Sequence, residues 1–295
     1  MGIYDQIKDT FKRGSTLIKL IYINVAVFLF IKVMQVLAFL FGFAGITDFL
    51  LQWLAVPADL TRLLTRPWTL FTYMFLHEGF LHILFNLLWL YVFGRIFLMY
   101  LSEKRLVSVY LVGGLSGSVL YILAFNIFPA FQQAVPVAIA LGASASVMAI
   151  VIAISVYVPN FSINLLLIGP VKLKYIAIFA ILLDVLSIPS SNSGGHIAHL
   201  GGALFGYLYI AQLRRGRNIT RSFDRVMDRV FAIFKPRPKF RVTHKRPGTD
   251  IDYNKWKAQR QQRIDEILEK ISQNGYESLT KEEKEILFKQ GGDRQ

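Results

Sequence analysis

The feature that most constrains this chain is a series of long apolar segments, each close to the length that lets a helix cross a membrane. An α-helix needs about 20 apolar residues to span the hydrocarbon core of a bilayer. Hydrophobic residues make up 54% of the 295-residue sequence, and the mean hydropathy is +0.45. Helices that are apolar on all sides belong in lipid rather than on a soluble core. The sequence therefore predicts an all-α integral membrane protein.

Six segments are predicted to span the membrane: 17–43, 77–98, 105–127, 141–159, 173–188 and 196–213. Lysine and arginine precede the first span, join spans 2–3 and 4–5, and follow span 6, whereas the loops between spans 3–4 and 5–6 contain neither. By the positive-inside rule both termini should be cytoplasmic. The long first loop, 45–76, is the exception, and its Trp, Pro and Arg content predicts that it lies in the interface. We expect a multi-pass protein of a bacterial cytoplasmic (inner) membrane.

The organisation predicted along the chain has four parts. These are an N-terminal cytoplasmic segment (1–16), a six-helix domain (17–213), a basic linker (214–250) and a cytoplasmic helical hairpin (251–295). The second helix of the hairpin is predicted to begin at Thr280, with Glu283 completing a capping box. No removable signal peptide is predicted at the N-terminus.

Charge and cysteine content exclude several classes of function. Residues 214–295 contain 21 Lys and Arg against 12 Asp and Glu, which favours contact with anionic lipid headgroups. Nucleic-acid binding is disfavoured because no base-stacking or groove-reading motif accompanies the charge. The absence of cysteine excludes disulfides, thiolate metal sites and cysteine catalysis.

Polar residues cluster near one end of three predicted spans, at one expected depth. They are His77, His82 and Asn86 in span 2, Gly142 and Ser144 in span 4, and His196 and His199 in span 6. Polar groups inside a bilayer are costly, so each needs a partner or a task. Four of the five histidines in the chain fall in this set. This coincidence predicts a functional site at membrane depth.

The residue types are those of nucleophilic catalysis. Ser144 begins a helix, where the positive end of the dipole favours a developing alkoxide, and His199 could take its proton. His82 and Asn86 are four residues apart on one helical face, so both could donate to an oxyanion. Asp184, near the end of span 5, is interpreted as structural. The prediction is therefore a Ser–His dyad without a third residue.

Other interpretations of the same residues stay open at this point. A serine in a membrane helix often bonds only its own i−4 carbonyl. Gly202 and Gly206 indicate close packing of span 6 against span 4. His196 and His199 could be a metal pair or hydrogen-bonded packing residues. A zinc protease site in span 2 is disfavoured, because His77 and His82 are one residue further apart than the two histidines of a His-Glu-x-x-His motif.

The order of these motifs resembles the rhomboid proteases. The resemblance rests on His77, His82 and Asn86, on Gly142-x-Ser144, and on Ala198-His199-x-x-Gly202-x-x-x-Gly206, and it covers about residues 17–213. It implies a six-transmembrane-helix rhomboid bundle around a water-filled cavity. It further implies Ser144 as nucleophile, His199 as base, His82 and Asn86 as the oxyanion-binding pair, and His77 as the residue that ties span 2 to neighbouring loops.

Three positions depart from the family pattern. Ala145 follows the nucleophile where the family usually has glycine, and Thr69 follows Trp68 where many members have arginine. Met148 stands where many members stack a tyrosine on the catalytic histidine. Ser146 should face away from His199, since it lies about 200° around the helix from Ser144.

The prediction from sequence is thus a serine endopeptidase that needs no cofactor or metal and cuts transmembrane protein substrates in or near their membrane helices. A catalytically inactive rhomboid-like protein that binds membrane clients is the first alternative. A small transporter is the second, although no internal repeat is evident. The oligomeric state stays open.

Overall fold

The computed structural model describes residue 2 and the ranges 14–43, 45–166, 168–234 and 250–291. It is predominantly helical and divides into two compact units, Met1–Phe234 and Lys235–Gln295. Most of the predicted N-terminal segment, and residues 235–249 of the predicted linker, lie outside the described residues.

The first unit begins with α1 (Thr16–Leu40), a continuously apolar helix that contains Lys19 and Lys32 as its charged residues. The long loop that follows contains short elements rather than a single span. They are α2 (Ile46–Leu54), β1 (Val56–Pro57), α3 (Leu60–Thr65) and α4 (Thr69–Thr72).

Two long helices then cross the unit, α5 (Phe80–Tyr100) and α6 (Glu103–Ile127). Strand β2 (Ile139–Ala140) pairs antiparallel with β1 and precedes α7 (Ser144–Tyr157). A hairpin of β3 (Ser162–Leu165) and β4 (Gly169–Lys172) leads to α8 (Leu173–Leu186) and α9 (Ser193–Arg214). The last helix of the unit is α10 (Arg221–Phe234).

Three helices of the described chain, α1, α5 and α6, are long and apolar enough to cross a membrane, and α7 is a shorter apolar helix. Large apolar side chains on their outer faces are exposed, for example Phe39 at 85% and Phe80 at 68%. Such surfaces are stable in lipid rather than in water. The chain is an integral membrane protein; the count of six spans and the side on which the tail lies stay predictions.

The structure corrects the sequence prediction in two places. The fold is not purely helical, because β1–β2 and β3–β4 form two short antiparallel pairs. The predicted linker 214–250 contains helix α10, whose Asp224 hydrogen-bonds the Ser108 hydroxyl of α6. Asp228 of α10 also pairs with Lys104 at 2.6 Å. The apolar residues of α10 recur at helical spacing, as at Phe223, Val226 and Val230, but the basic charge and the prolines that follow favoured the prediction of a linker.

The centre of the first unit is α7, whose residues between Ala145 and Ser155 are almost all buried. It packs against α6 and α9 through small residues. A methyl group added at Gly202 would lie 2.0 Å from the Ala145 carbonyl oxygen, and one added at Gly206 would lie 2.3 Å from that of Ala149. The prediction that these two glycines bring span 6 against span 4 is confirmed.

The second unit contains α11 (Asp250–Asn274) and α12 (Lys281–Gly291). Helix α11 ends before Gly275, whose φ of 74° is a value that glycine adopts more readily than other residues. The predicted capping box is confirmed: Thr280 N–H donates to Glu283 at 2.7 Å, and Glu283 N–H donates to the Thr280 hydroxyl. These bonds, together with Lys270, lower the pKa of the Glu283 carboxyl.

Candidate active site

The polar residues singled out from the sequence meet in one cavity of about 580 Å³ between α5, α7, α8 and α9. Ser144, His199, His82 and Asn86 all line it. They come from three separate helices, so their convergence is a property of the fold and not of local sequence. The wall facing α8 also contains Asp184 and His196.

Ser144 is the first residue of α7 and lies at the amino end of that helix. The turn before it depends on Gly142, whose φ of 136° is a conformation that side-chain-bearing residues rarely adopt. A carbon added at this position would lie 3.1 Å from His82 Nε2 and 3.3 Å from Ser144 Oγ. Because Gly142 has no side chain, the space between the Ser144 hydroxyl and the His82 imidazole stays open.

His82 and Asn86 lie one turn apart on α5, as the spacing predicts. Asn86 Nδ2 donates one hydrogen bond to the His82 carbonyl at 2.9 Å, which leaves its second N–H for a ligand. His82 Nε2 faces the same space from the Gly142 side. The pair can supply two donors to one point in the cavity.

His77 precedes α5 rather than lying on it. Its side chain is buried, and neither ring nitrogen has a hydrogen-bond partner among the described residues. The ring instead packs edge-on against His82, with centroids 5.2 Å apart. This contact supports the His82 ring, and the role of His77 in tying α5 to neighbouring loops stays a prediction.

His199 and His196 lie one turn apart on α9, and both contact Asp184 of α8. Each Nδ1 is 2.8 Å from Asp184 Oδ1. The sequence analysis expected no third residue beside His199, and the structure places the Asp184 carboxylate within hydrogen-bond distance of the His199 ring. The signal available in the sequence was that Asp184 is the single acidic residue of span 5, where an unpartnered carboxylate is costly.

Ser144 and His199 share the cavity but are not in direct contact through a hydrogen bond in the described part of the chain. Hydrogen bonds between catalytic groups are often long in the free enzyme and tighten when substrate binds. With Nδ1–H held by Asp184, His199 keeps a lone pair on Nε2, the atom that a serine hydroxyl would need.

The departures from the family pattern have local explanations. Ala145 is buried against Gly117. A methyl group added to Gly117 would lie only 2.5 Å from the methyl group of Ala145. Ser146 contacts the Met74 sulfur at 3.8 Å and does not line the cavity, as predicted. Met148 lines the cavity on the same helix as Ser144.

The first loop is held without an arginine after Trp68. Arg66 lies over the Trp53 ring at 4.4 Å and donates to the Gln52 carbonyl. Trp68 stacks on Trp53 and donates its indole N–H to the Trp53 carbonyl at 2.9 Å. Thr69 is buried and bonds the Arg66 carbonyl. Arg66 thus fixes the loop from two positions upstream of Trp68.

Comparisons with known proteins match two parts of the chain. Residues 64–216 match the Rhomboid domain family, and residues 249–289 match a family of unknown function (DUF6576). A relative, the "RHOMBOID-like protein 12, mitochondrial" of Arabidopsis thaliana, is 33% identical over 161 residues, which are 52% of this chain and 48% of that protein. The chain thus spans about half the length of this curated relative. The name of this relative refers to mitochondria, so the comparison gives no support to the expected bacterial membrane.

Proposed function

This chain belongs to the rhomboid family, and we propose that it is an intramembrane serine endopeptidase. Its substrates would be membrane proteins, cut at peptide bonds in or near their transmembrane helices. The observation that carries the proposal is that Ser144, His199, His82 and Asn86 line one cavity. We also propose that the C-terminal tail lies on the cytoplasmic side and binds anionic lipid.

In the proposed reaction the Ser144 hydroxyl attacks the carbonyl carbon of the scissile bond while its proton passes to His199 Nε2. The C–N bond then breaks, and His199 returns the proton to the leaving amine. Water, activated by the same imidazole, hydrolyses the acyl-enzyme and frees Ser144. Every step uses side chains of this sequence and water.

Asp184 is the positioning residue in this proposal. Its Oδ1 lies 2.8 Å from His199 Nδ1, which favours the tautomer with a free lone pair on Nε2. A carboxylate beside the ring also stabilises the imidazolium that forms when Ser144 is deprotonated. We therefore replace the predicted dyad with a Ser144–His199–Asp184 set.

The oxyanion would be stabilised by His82, by the second N–H of Asn86 and by the amino end of α7. Removing one such donor in other enzymes costs about 3–4 kcal/mol of activation free energy. The open space left by Gly142 supports this assignment, since it separates His82 Nε2 from Ser144 Oγ without filling the gap.

The proposed substrates must unwind locally before attack. A helix in lipid keeps its carbonyl groups in internal hydrogen bonds, so the scissile carbonyl is hidden until those bonds open. We expect small or helix-breaking residues near the cleaved bond for this reason.

A catalytically inactive, client-binding protein is the second candidate. The observation that favours it is the missing hydrogen bond between Ser144 and His199 in the described structure. It would retain the cavity and the membrane helices while cutting nothing.

The deciding experiment compares the wild-type protein with Ser144→Ala on a panel of single-span substrates in liposomes. Cleavage should fall by at least about 10³-fold in the variant, because the nucleophile is gone. Ser146→Ala is the matched control and should cleave as wild type does, since Ser146 faces Met74. A fluorophosphonate should label the wild-type protein and Ser146→Ala but not Ser144→Ala. Cleavage that persists in Ser144→Ala would reject the proposal.

A further inference from the structure

The cluster of Asp184, His196 and His199 has more ligand atoms than the proposed reaction uses. His196 contributes nothing to the chemistry at Ser144, yet its Nδ1 lies as close to Asp184 Oδ1 as that of His199, at 2.8 Å. The two rings are 5.8 Å apart and nearly perpendicular. One ligand atom from each of the three residues can be chosen so that all lie within 4.8 Å of one another.

A second observation points to a cation at this place. Asp184 is 5% exposed, and its other oxygen, Oδ2, has no hydrogen-bond partner among the described residues. A buried carboxylate oxygen without a partner is costly. The group lines the wall of a cavity wide enough for an ion to reach it.

The donor set identifies the class of ion. Two imidazole nitrogens and one carboxylate oxygen are the ligands of open, three-residue Zn²⁺ sites, whereas Mg²⁺ and Ca²⁺ prefer oxygen ligands alone. Metal–ligand distances of about 2.0–2.2 Å separate the ligands of a tetrahedron by roughly 3.4 Å. The 2.8 Å contacts would need to open by about half an ångström, which side-chain rotation can supply.

We propose that Asp184, His196 and His199 bind one Zn²⁺-class ion, and that this ion reversibly inhibits the protein. The inhibition rests on the proposed protease function; the binding does not. A neutral imidazole with a metal on Nδ1 carries its remaining proton on Nε2. His199 would then present an N–H to Ser144 where the reaction needs a lone pair.

Binding is tested first in Ser144→Ala, which separates it from catalysis. The full chain in detergent, freed of metal with a chelator, is titrated with ZnCl₂, and with CoCl₂ as a spectroscopic probe. We expect one saturable ion per chain and the visible absorption of tetrahedral Co²⁺. Adding His196→Gln should weaken binding at least tenfold. Adding His244→Gln instead is the control for a histidine elsewhere in the sequence and should leave binding unchanged.

Inhibition is tested with the cleavage assay in increasing ZnCl₂, each protein normalised to its own metal-free rate. The wild type should be inhibited and then restored by EDTA, and His196→Gln should need at least tenfold more metal. Thermal unfolding of His196→Gln reports whether that variant is folded, and His196→Asn is the replacement if it is not. The metal site is overturned if no saturable binding is seen, or if the His196 variant binds the metal as tightly as the protein without that change. The inhibitory role is overturned if metal inhibits His196→Gln and the wild type equally. Absent cleavage in every protein would instead count against the protease proposal, and the titration still decides the site.

Discussion

At the scale of single residues, Asp184 has the largest effect on how the site is understood. A neutral imidazole must choose which nitrogen carries its proton, and the partner of one nitrogen decides the state of the other. Asp184 Oδ1 contacts His199 Nδ1 at 2.8 Å. In the proposed reaction, this contact favours the tautomer whose Nε2 accepts the Ser144 proton.

Replacing Asp184 with asparagine should therefore lower kcat by at least about tenfold, which is about 1.4 kcal/mol in activation free energy. The amide can donate an N–H to Nδ1 and so favour the unreactive tautomer. Initial cleavage rates over a pH series, with fluorophosphonate labelling of Ser144, measure the effect. The pH profile should change as well as its height, which a loss of folded protein alone would not cause.

Asp224→Asn is the matched control for that change. Asp224 is also a buried aspartate of the first unit, but it bonds Ser108 and lies outside the cavity lining. Its variant should keep the wild-type kcat and pH profile. An unchanged kcat in Asp184→Asn would remove Asp184 from the mechanism.

The cavity residues themselves could be predicted from sequence because burial in lipid makes each polar side chain conspicuous. Ser144, His199, His82 and Asn86 were all identified in this way. The contact of Asp184 with His199 was not predicted because the two residues lie on different helices, and a single sequence does not show how α8 turns toward α9.

At the scale of elements, the site depends on how closely α9 approaches α7. Helices without large side chains at their contact can bring their backbones together, and this close packing holds membrane helices side by side. Gly202 and Gly206 face the Ala145 and Ala149 carbonyl oxygens directly. His199 lies less than one turn before Gly202, so the same contact fixes the distance from His199 to Ser144.

Gly202→Ala should destabilise the fold and reduce cleavage. The added methyl group would lie 2.0 Å from the Ala145 carbonyl oxygen, which belongs to rigid backbone and cannot move aside cheaply. Overpacking of this kind typically costs about 1–3 kcal/mol of unfolding free energy. We expect a lower unfolding midpoint in detergent and a cleavage rate reduced more than tenfold, as α9 moves His199 away from Ser144.

Gly79→Ala is the control for the loss of a glycine. Position 79 has a φ of −138°, which any residue adopts, and a methyl group there would meet no atom within 4 Å. It should keep the wild-type midpoint. A Gly202→Ala protein that is as stable as Gly79→Ala would show that α7 and α9 can separate without cost.

Elements with a strong apolar pattern were predictable, and those fixed by tertiary contacts were not. Helix α1 was expected over 17–43 and is Thr16–Leu40. The β3–β4 hairpin went unpredicted because each strand has only four residues, too few for an alternating pattern to be recognised in the sequence. Helix α10 is the exception: its apolar residues recur at helical spacing, but the basic charge and the prolines at positions 236 and 238 favoured the prediction of a linker.

At the scale of the whole molecule, α7 is short for a helix that crosses a membrane. Its 14 residues rise about 21 Å at 1.5 Å per residue, whereas the hydrocarbon core is about 30 Å thick. The helix is nevertheless enclosed by other helices along its length. A buried helix can end short of the membrane surface when neighbours line its ends and water fills the cavity above it.

The six-span topology can be tested with single cysteines, because the natural sequence contains none. Exposed positions are available on both predicted sides: Gln133 and Ser191 on the outer side, Asn160 and Ser222 on the cytoplasmic side. In right-side-out vesicles a membrane-impermeant maleimide should label cysteines at 133 and 191 directly. Those at 160 and 222 should react only after permeabilisation, since the positive-inside bias keeps the Lys- and Arg-rich connections inside. Asn160 follows α7 directly, so labelling of position 160 from the outside would mean that α7 does not cross and that the count of six spans is wrong. The opposite pattern at all four positions would instead mean that the orientation, and with it the cytoplasmic tail, is reversed.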